Sequence, residues 1–341
     1  MKMRQRILIS VGLLLVPGLL LGQRISKVGT TAAPFLNIGV GARPIAMGGA
    51  YVSVAEDATA LFWNVAGIAR LPGNQVLLDH ADWIADINFD YAGLIMNLGE
   101  LGVFGLTFTS LSMGDMERTT EFEPDGNGEL FSAGSFAIGV SYARNLTDRF
   151  SIGFTGKYIS EKIMNSSARG LAIDIGTLYT TPFYGMKLGM SISNFGTKMQ
   201  MTGRDMLVQY DIDPIRHGNN AALNANLETD QYELPLMFRV GVSVDVLQAV
   251  AGQRLLLAVD ALHPNDNVES LNLGAEYSFE DLVFLRLGYK RLFSRDSEEG
   301  LTAGAGLRYR FLSNLGVRLD YAFQSFGRLN NVNRFTFLIY F

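Results

Sequence analysis

The chain has 341 residues, of which 48% are hydrophobic and only 18% charged, against about 25% charged in soluble domains. A net charge of −5 leaves no electrostatic footprint for nucleic acid. The absence of cysteine excludes disulfide scaffolds, thiolate zinc sites, thiol catalysis and a lipoprotein anchor on a processed N-terminal cysteine.

Residues 1–22 read as a secretory signal. Lys2, Arg4 and Arg6 give the positive start, and Ile7 to Leu21 give an apolar run broken by Pro17 and Gly18. The break and the short length argue against a membrane helix. A cut near Gly22–Gln23 supplies a small residue at the cleavage site, although Leu20 fits the small-residue rule poorly. No later stretch is long and apolar enough to cross a bilayer as a helix. A membrane-embedded chain must then cross with closed strands.

Residues 23–73 form a separate segment, and 35–70 are irregular. Gly39, Gly41, Gly48 and Gly49 suit tight turns and close backbone approach. Glu56 and Asp57 start a short helix through Ala58, Ala60 and Leu61, where acids are favoured. Asn64 to Gly67 makes a turn. Such backbone can lie at membrane depth only when other protein shields it, so the segment is expected as a hatch inside a barrel.

From 74 to 341 the pattern has period two. Val283, Leu285, Leu287 and Tyr289 alternate with Phe284, Arg286 and Gly288. Leu301, Ala303, Ala305, Leu307 and Tyr309 alternate with Thr302, Gly304, Gly306, Arg308 and Arg310. The runs fall at 74–81, 88–98, 101–111, 134–144, 149–162, 169–180, 186–195, 235–246, 254–263, 268–278, 282–292, 301–311, 315–325 and 333–341. They predict an all-β fold, a 14-stranded antiparallel transmembrane β-barrel. Runs of about ten residues span a bilayer when tilted. The polar row carries Asp174, Arg239, Asp245, Asp260, Glu276, Arg286, Arg308, Arg318 and Asp320, which fits a wet lumen. These charges either line a solute path or pair across strands; their mixed sign favours pairing. The abundant Gly and aromatic residues suit crowded lumen positions and interfacial girdles.

Connections after even-numbered strands are short, whereas 112–133 and 196–234, after odd ones, are long. Short turns belong to the periplasm and long loops to the outside, which puts both termini on the periplasmic side. Loop 196–234 holds Met199, Met201, Met206, Leu207, Tyr210 and Ile212, so it either docks another protein or folds back over its own barrel. Asp211 to Asn226 reads as polar and mobile.

No catalytic constellation stands out. His80, His217 and His263 are scattered, and no Gly-x-Ser-x-Gly elbow occurs. Asp125-Gly126-Asn127-Gly128-Glu129 spaces oxygens as calcium loops do, but a solvated turn has the same composition. No cofactor or metal is expected.

Two motifs carry a resemblance. Gly41-Ala42-Arg43-Pro44, Met47-Gly48-Gly49-Ala50-Tyr51, Asp57 and Ala60-Leu61-Phe62-Trp63-Asn64 through Gly67 resemble the PorV/PorQ family. That family is similar in turn to FadL-type transporters, fourteen-stranded barrels with an N-terminal hatch. Asn64-Val65-Ala66-Gly67 departs from the usual Asn-Pro-Ala-Gly. A final strand closing on Phe341 resembles the signal read by outer-membrane assembly machinery. The PorV resemblance implies an outer-membrane component of type IX secretion, one that binds the translocon and the C-terminal signal domains of secreted cargo and hands cargo to a surface-attachment complex. The alternative is a FadL-like channel for hydrophobic small molecules, with Phe104, Leu106 and Phe108 or their neighbours as its apolar pocket.

Overall fold

The computed structural model describes residues 27–341 except 216–221, 248–249, 295–296 and 313. The expected signal peptide and His217 lie outside the described residues. Fourteen antiparallel strands close into one barrel. They are β1 Gln75–Trp83, β2 Ile87–Asn97, β3 Val103–Ser112, β4 Ala133–Thr147, β5 Phe150–Ile163, β6 Ser166–Thr180, β7 Lys187–Gly196, β8 Met237–Asp245, β9 Gln253–Pro264, β10 Ser270–Phe279, β11 Val283–Leu292, β12 Leu301–Arg310, β13 Gly316–Ser325 and β14 Asn331–Tyr340. β1 pairs with both β2 and β14, so no edge is left open.

The alternation of the sequence is the alternation of the wall. Leu285, Leu287, Leu307, Leu319 and Phe335 are exposed on the outside, while Arg286, Arg318, Asp320 and Arg334 are buried within. In water such an apolar exterior would be costly; in a bilayer it is the lipid-facing band.

The ladder shifts register at three places, between Asn145 and Thr147, between Ile173 and Ile175, and between Leu271 and Leu273. At the second of these, where β6 pairs with β7, Asn194 has φ 64. Beyond the shift, Thr202–Gly203 from the long loop pairs with Ser166–Ser167 of β6 and patches the wall.

Residues 38–71 lie inside the barrel. They form two short helices, α1 Ala42–Ala46 and α2 Ala60–Trp63, and a 3₁₀ turn Val65–Arg70. The acids expected to begin α2 instead precede it: Asp57 Oδ1 accepts the Thr59 N–H at 3.0 Å and the Thr59 hydroxyl. The chain enters at the loop end, where Thr31 bridges Glu233 and bonds Asp266. It leaves at the turn end, where Asn74 and Phe341 exchange backbone hydrogen bonds of 2.9 and 3.0 Å. The expectation of both termini at the turn end therefore needs correction: the described N-terminal residues sit at the opposite mouth. The segment threads the length of the lumen, and strand parity fixed only the position at which β1 begins.

Candidate functional site

The wall meets the inner segment through glycine. A Cβ on Gly288 would lie 2.0 Å from the Gly48 nitrogen, on Gly304 2.6 Å from the Ala46 side chain, and on Gly153 2.8 Å from the Val65 backbone. On Gly176 it would meet Asn64, and on Gly189 the Val52 carbonyl, each at 2.2 Å. These five glycines sit on β5, β6, β7, β11 and β12, so backbone touches backbone around much of the barrel. Gly48 and Gly49 have φ of 66° and 73°, a region open to glycine at little cost, and the turn they make lets the Gly48 N–H reach the Thr302 hydroxyl at 3.0 Å.

Charge completes the contact. Arg43 clasps Glu276 through Nε at 2.8 Å and Nη2 at 2.6 Å. Glu276 accepts from Arg286 Nε at 2.6 Å, and Arg286 Nη1 donates to Asp320 at 2.7 Å. Asp320 accepts from Arg318 Nε at 2.6 Å, Arg318 Nη2 donates to Asp57 at 2.6 Å, and Asp57 returns to Arg43 at 3.0 Å. The result is a closed ring of alternating charge, its two segment residues inserted between four wall residues. Each desolvated charge has an opposite neighbour on both sides, which buried ions require. The Tyr51 hydroxyl joins it at 3.0 Å from both Arg43 and Asp57.

Three further ties fasten the segment. Glu56 takes Lys187 at 2.6 Å and Arg254 at 2.8 Å. Asp260 accepts the Tyr51 and Val52 N–H groups at 2.7 and 2.8 Å. Asp79, held by Arg334 and Thr336, accepts Gly41 N–H at 3.1 Å. Burial alone would raise the Glu56 carboxyl, but Lys187, Arg254 and Arg43 hold it well below the usual carboxylate range. Asp57 behaves alike, with Arg318 and Arg43 outweighing burial.

The other motif residues act within the segment. Trp63 Nε1 donates to the Val40 carbonyl at 2.8 Å and meets Phe62 edge-on. Asn64 donates to the Val52 and Thr177 carbonyls at 2.7 and 2.9 Å, tying segment to wall, and accepts Ala66 N–H. This cap holds the turn that the family's proline would stiffen. A Cβ on Gly67 would strike the Ala55 carbonyl. Pro44 lies in α1.

The expected lumen charges separate into groups. Glu276, Arg286, Arg318 and Asp320 belong to the ring, and Asp260 holds segment backbone. Asp245 pairs with Arg254 and Asp174 with Lys157, at 2.7 and 2.6 Å. Arg308 stands at the turn end, 4.0 Å from Asp281. Arg239 stacks on Trp63 and Phe62. Around the ring the segment fills the lumen that was expected to be wet, and the Arg286 side chain has no exposure, whereas Asp245 and Arg308 stay about a quarter exposed. The inward glycines are the crowded lumen positions expected of them, whereas the ion-pair and hydrogen-bond roles of Glu56, Asp79, Arg254 and Arg334 had no signal in the sequence. Asp79, Arg254 and Arg334 occupy inward positions of alternating strands, but their partners are far away along the chain.

Phe104, Leu106 and Phe108 point outward, so the apolar pocket considered for them is not in the lumen. The inward Gly105 between them packs on Leu61. His80 also faces out and bonds Asp90 at 2.7 Å, and His263 meets Glu269 at 3.2 Å. In the 125–129 loop, Glu129 pairs with Arg118 and Gly128 N–H bonds Glu117. Among the described residues no group of three acids or histidines is placed to hold a metal.

Part of the long loop folds back on the barrel and part of it stands exposed. Met199 is buried and Met201 packs against the core, whereas Leu207–Tyr210 and Leu223–Asn226 form a hairpin with Leu207, Tyr210 and Leu223 exposed. The stretch read as mobile contains the second strand of this hairpin.

Solved structures share the fold. The Ralstonia pickettii toluene transporter TbuX matches with a TM-score of 0.55 at 12% identity, over 89% of this chain and 97% of that one. The Pseudomonas putida toluene transporter TodX gives 0.54 at 12%, over 89% and 97%. A Pseudomonas aeruginosa FadL homologue gives 0.50 at 13%, over 86% and 96%. No curated protein matches the chain in sequence. The family model described as type IX secretion system protein PorV matches residues 22–212. With this match, an outward apolar wall and a FadL-like barrel, the chain belongs to the PorV family of outer-membrane proteins of type IX secretion.

Proposed function

We propose that this barrel works from its outer surface, binding the secretion translocon and the signal domains of secreted cargo, and passing cargo to a surface-attachment complex while the hatch seals the lumen. The observation that carries this reading is the projecting hairpin beside a filled interior. The segment occupies the barrel by backbone contact and by a ring of paired charge, so the working surface is left to the loops. Leu207, Tyr210, Ile212 and Leu223 are exposed on a two-stranded hairpin at the loop end. Apolar residues on an exposed strand pair suit docking against another protein. The outer wall partners lipid, and Phe341 at the closing strand serves the assembly machinery.

The channel reading requires an open apolar lumen path; Phe104, Leu106 and Phe108 face outward, and their inward neighbours Val103 and Gly105 pack in the apolar cluster around Leu61. Affinity purification from native outer membranes tests the proposal. A large translocon barrel and proteins with C-terminal signal domains should co-purify with the wild-type chain and be lost when 204–229 is replaced by a short Gly-Ser turn. Unchanged recovery from the loop variant would contradict it.

A further inference from the structure

The barrel has a second mouth, opposite the hairpin. At the turn end, between the inner segment and β12–β14, lies a partly open cavity of about 490 Å³. Asp57 and Arg318 are buried at its deep wall, with Glu56 beside them, while Arg308, Arg310 and Asn314 lie nearer the mouth. The deep groups are already engaged. Glu56 holds Lys187 and Arg254, and Asp57 and Arg318 hold each other within the ring. The groups at the mouth are not. Among the described residues, the one ion pair of Arg308 is with Asp281, at 4.0 Å, whose side chain is 60% exposed; a long, solvated pair of this kind contributes little. The Arg308 Nε is buried without a hydrogen-bond partner. The rings of Phe284 and Tyr340, at 5.3 and 5.7 Å, steady the cation without neutralising it. Arg318 and Arg43 act on it as like charges. Arg310 is exposed and, among the described residues, its side chain makes no ion pair or hydrogen bond.

Two guanidinium groups with so little counter-charge make this mouth a receptor for an anion. Arg308 and Arg310 share the inward face of β12, about 6.5 Å apart along the strand, so one tetrahedral anion can reach both. A carboxylate has two oxygens and saturates a single fork. A phosphate spreads its oxygens over two forks and leaves one for the Asn314 amide. We infer that this cavity binds a phosphate group at the periplasmic mouth, with Arg308 and Arg310 as its anchors. The engaged acids on the deep wall keep the anion near the opening. The outer wall beside the pair suits a phosphate carried by a lipid: Tyr309 and Phe311 stand exposed, edge to face, with ring centres 4.9 Å apart, as aromatics do at headgroup level. Free phosphate offers the two arginines the same chemistry.

The inference does not need the secretion reading, so the full-length barrel is titrated alone. It is purified in phosphate-free dodecyl maltoside and titrated by calorimetry with inorganic phosphate, with acetate, and with dihexanoyl phosphatidylglycerol below its micellar concentration. At least one phosphate probe should bind saturably, with acetate weaker by about tenfold or more. Tighter binding of the lipid would support the site with a headgroup as its source, and tighter binding of the inorganic ion would support it with free phosphate. The double variant Arg308→Gln, Arg310→Gln should weaken binding by about tenfold or more. Asn314→Trp, which crowds the mouth and spares both arginines, should weaken it as well, with heat-modifiable migration confirming that each variant is folded. No saturable binding of either phosphate probe, acetate binding as tightly as phosphate, or binding that survives either variant would each overturn it.

Discussion

Glycines that look alike in the sequence have opposite roles in the wall. Gly288 faces the Gly48 backbone at a distance no Cβ can occupy, whereas a Cβ on Gly156 meets nothing within 4 Å. Gly288→Val should destabilise the barrel or expel the hatch, costing at least the 1–3 kcal/mol typical of overpacking; Gly156→Val should migrate and melt as the wild type. Arg43 sits where three acids meet. Arg43→Met leaves Glu276 and Asp57 each short of one counter-ion, an effect of about 3–5 kcal/mol in thermal or denaturant unfolding. Arg43→Lys should not rescue it, because an ammonium cannot reproduce the forked grip. The pH dependence follows from Glu56 and Asp57, both held below their ordinary values. A depressed carboxyl stabilises the fold above its unfolded pKa and loses that contribution as pH falls toward the folded one. Resistance of the hatch to protease should thus be flat from neutral pH to about pH 4 and decline below it, as limited proteolysis across pH would record. A decline beginning near pH 6 would point to other groups.

Strands were legible because lipid on one side and protein on the other impose period two. The runs read at 301–311 and 315–325 correspond to β12 Leu301–Arg310 and β13 Gly316–Ser325. The hatch helices were less so. α1 and α2 are five and four residues long, too short for helical periodicity, and are held by partners such as Glu276, 233 positions from Arg43. No local pattern encodes such a pairing. The motif residues stood out by composition, and their ring partners only as an alternating row. The long loop was ambiguous because methionine suits both burial and docking, and Met199 and Leu207 took different paths. At the C-terminus, Phe341 ties the closing strand to Asn74. Removing Phe341 should lower the heat-modifiable form in outer membranes, measured by gel migration; full recovery of that form would leave the residue no role in assembly.

For the whole molecule, two media meet across one wall: lipid outside, and inside a packed segment rather than water. The sequence marked the first through its apolar row. It did not mark the second, because a dry and a wet lumen ask for the same small and charged residues, and only the segment's path distinguishes them. That path, from the loop end to the turn end, also explains why the N-terminal residues lie at the outer mouth. The chain has no cysteine of its own, so single cysteines report this arrangement cleanly. The decisive measurement is labelling of Leu285→Cys and the near-isosteric Ser243→Cys in nanodiscs with a lipid-phase and a water-soluble maleimide. Leu285 is exposed on the wall, and Ser243 is 2% exposed within it. The account predicts that Leu285→Cys reacts from the lipid and that Ser243→Cys reacts with neither reagent until the barrel is unfolded. Rapid reaction of Ser243→Cys with the water-soluble reagent in the folded protein, or shielding of Leu285→Cys from lipid, would contradict it.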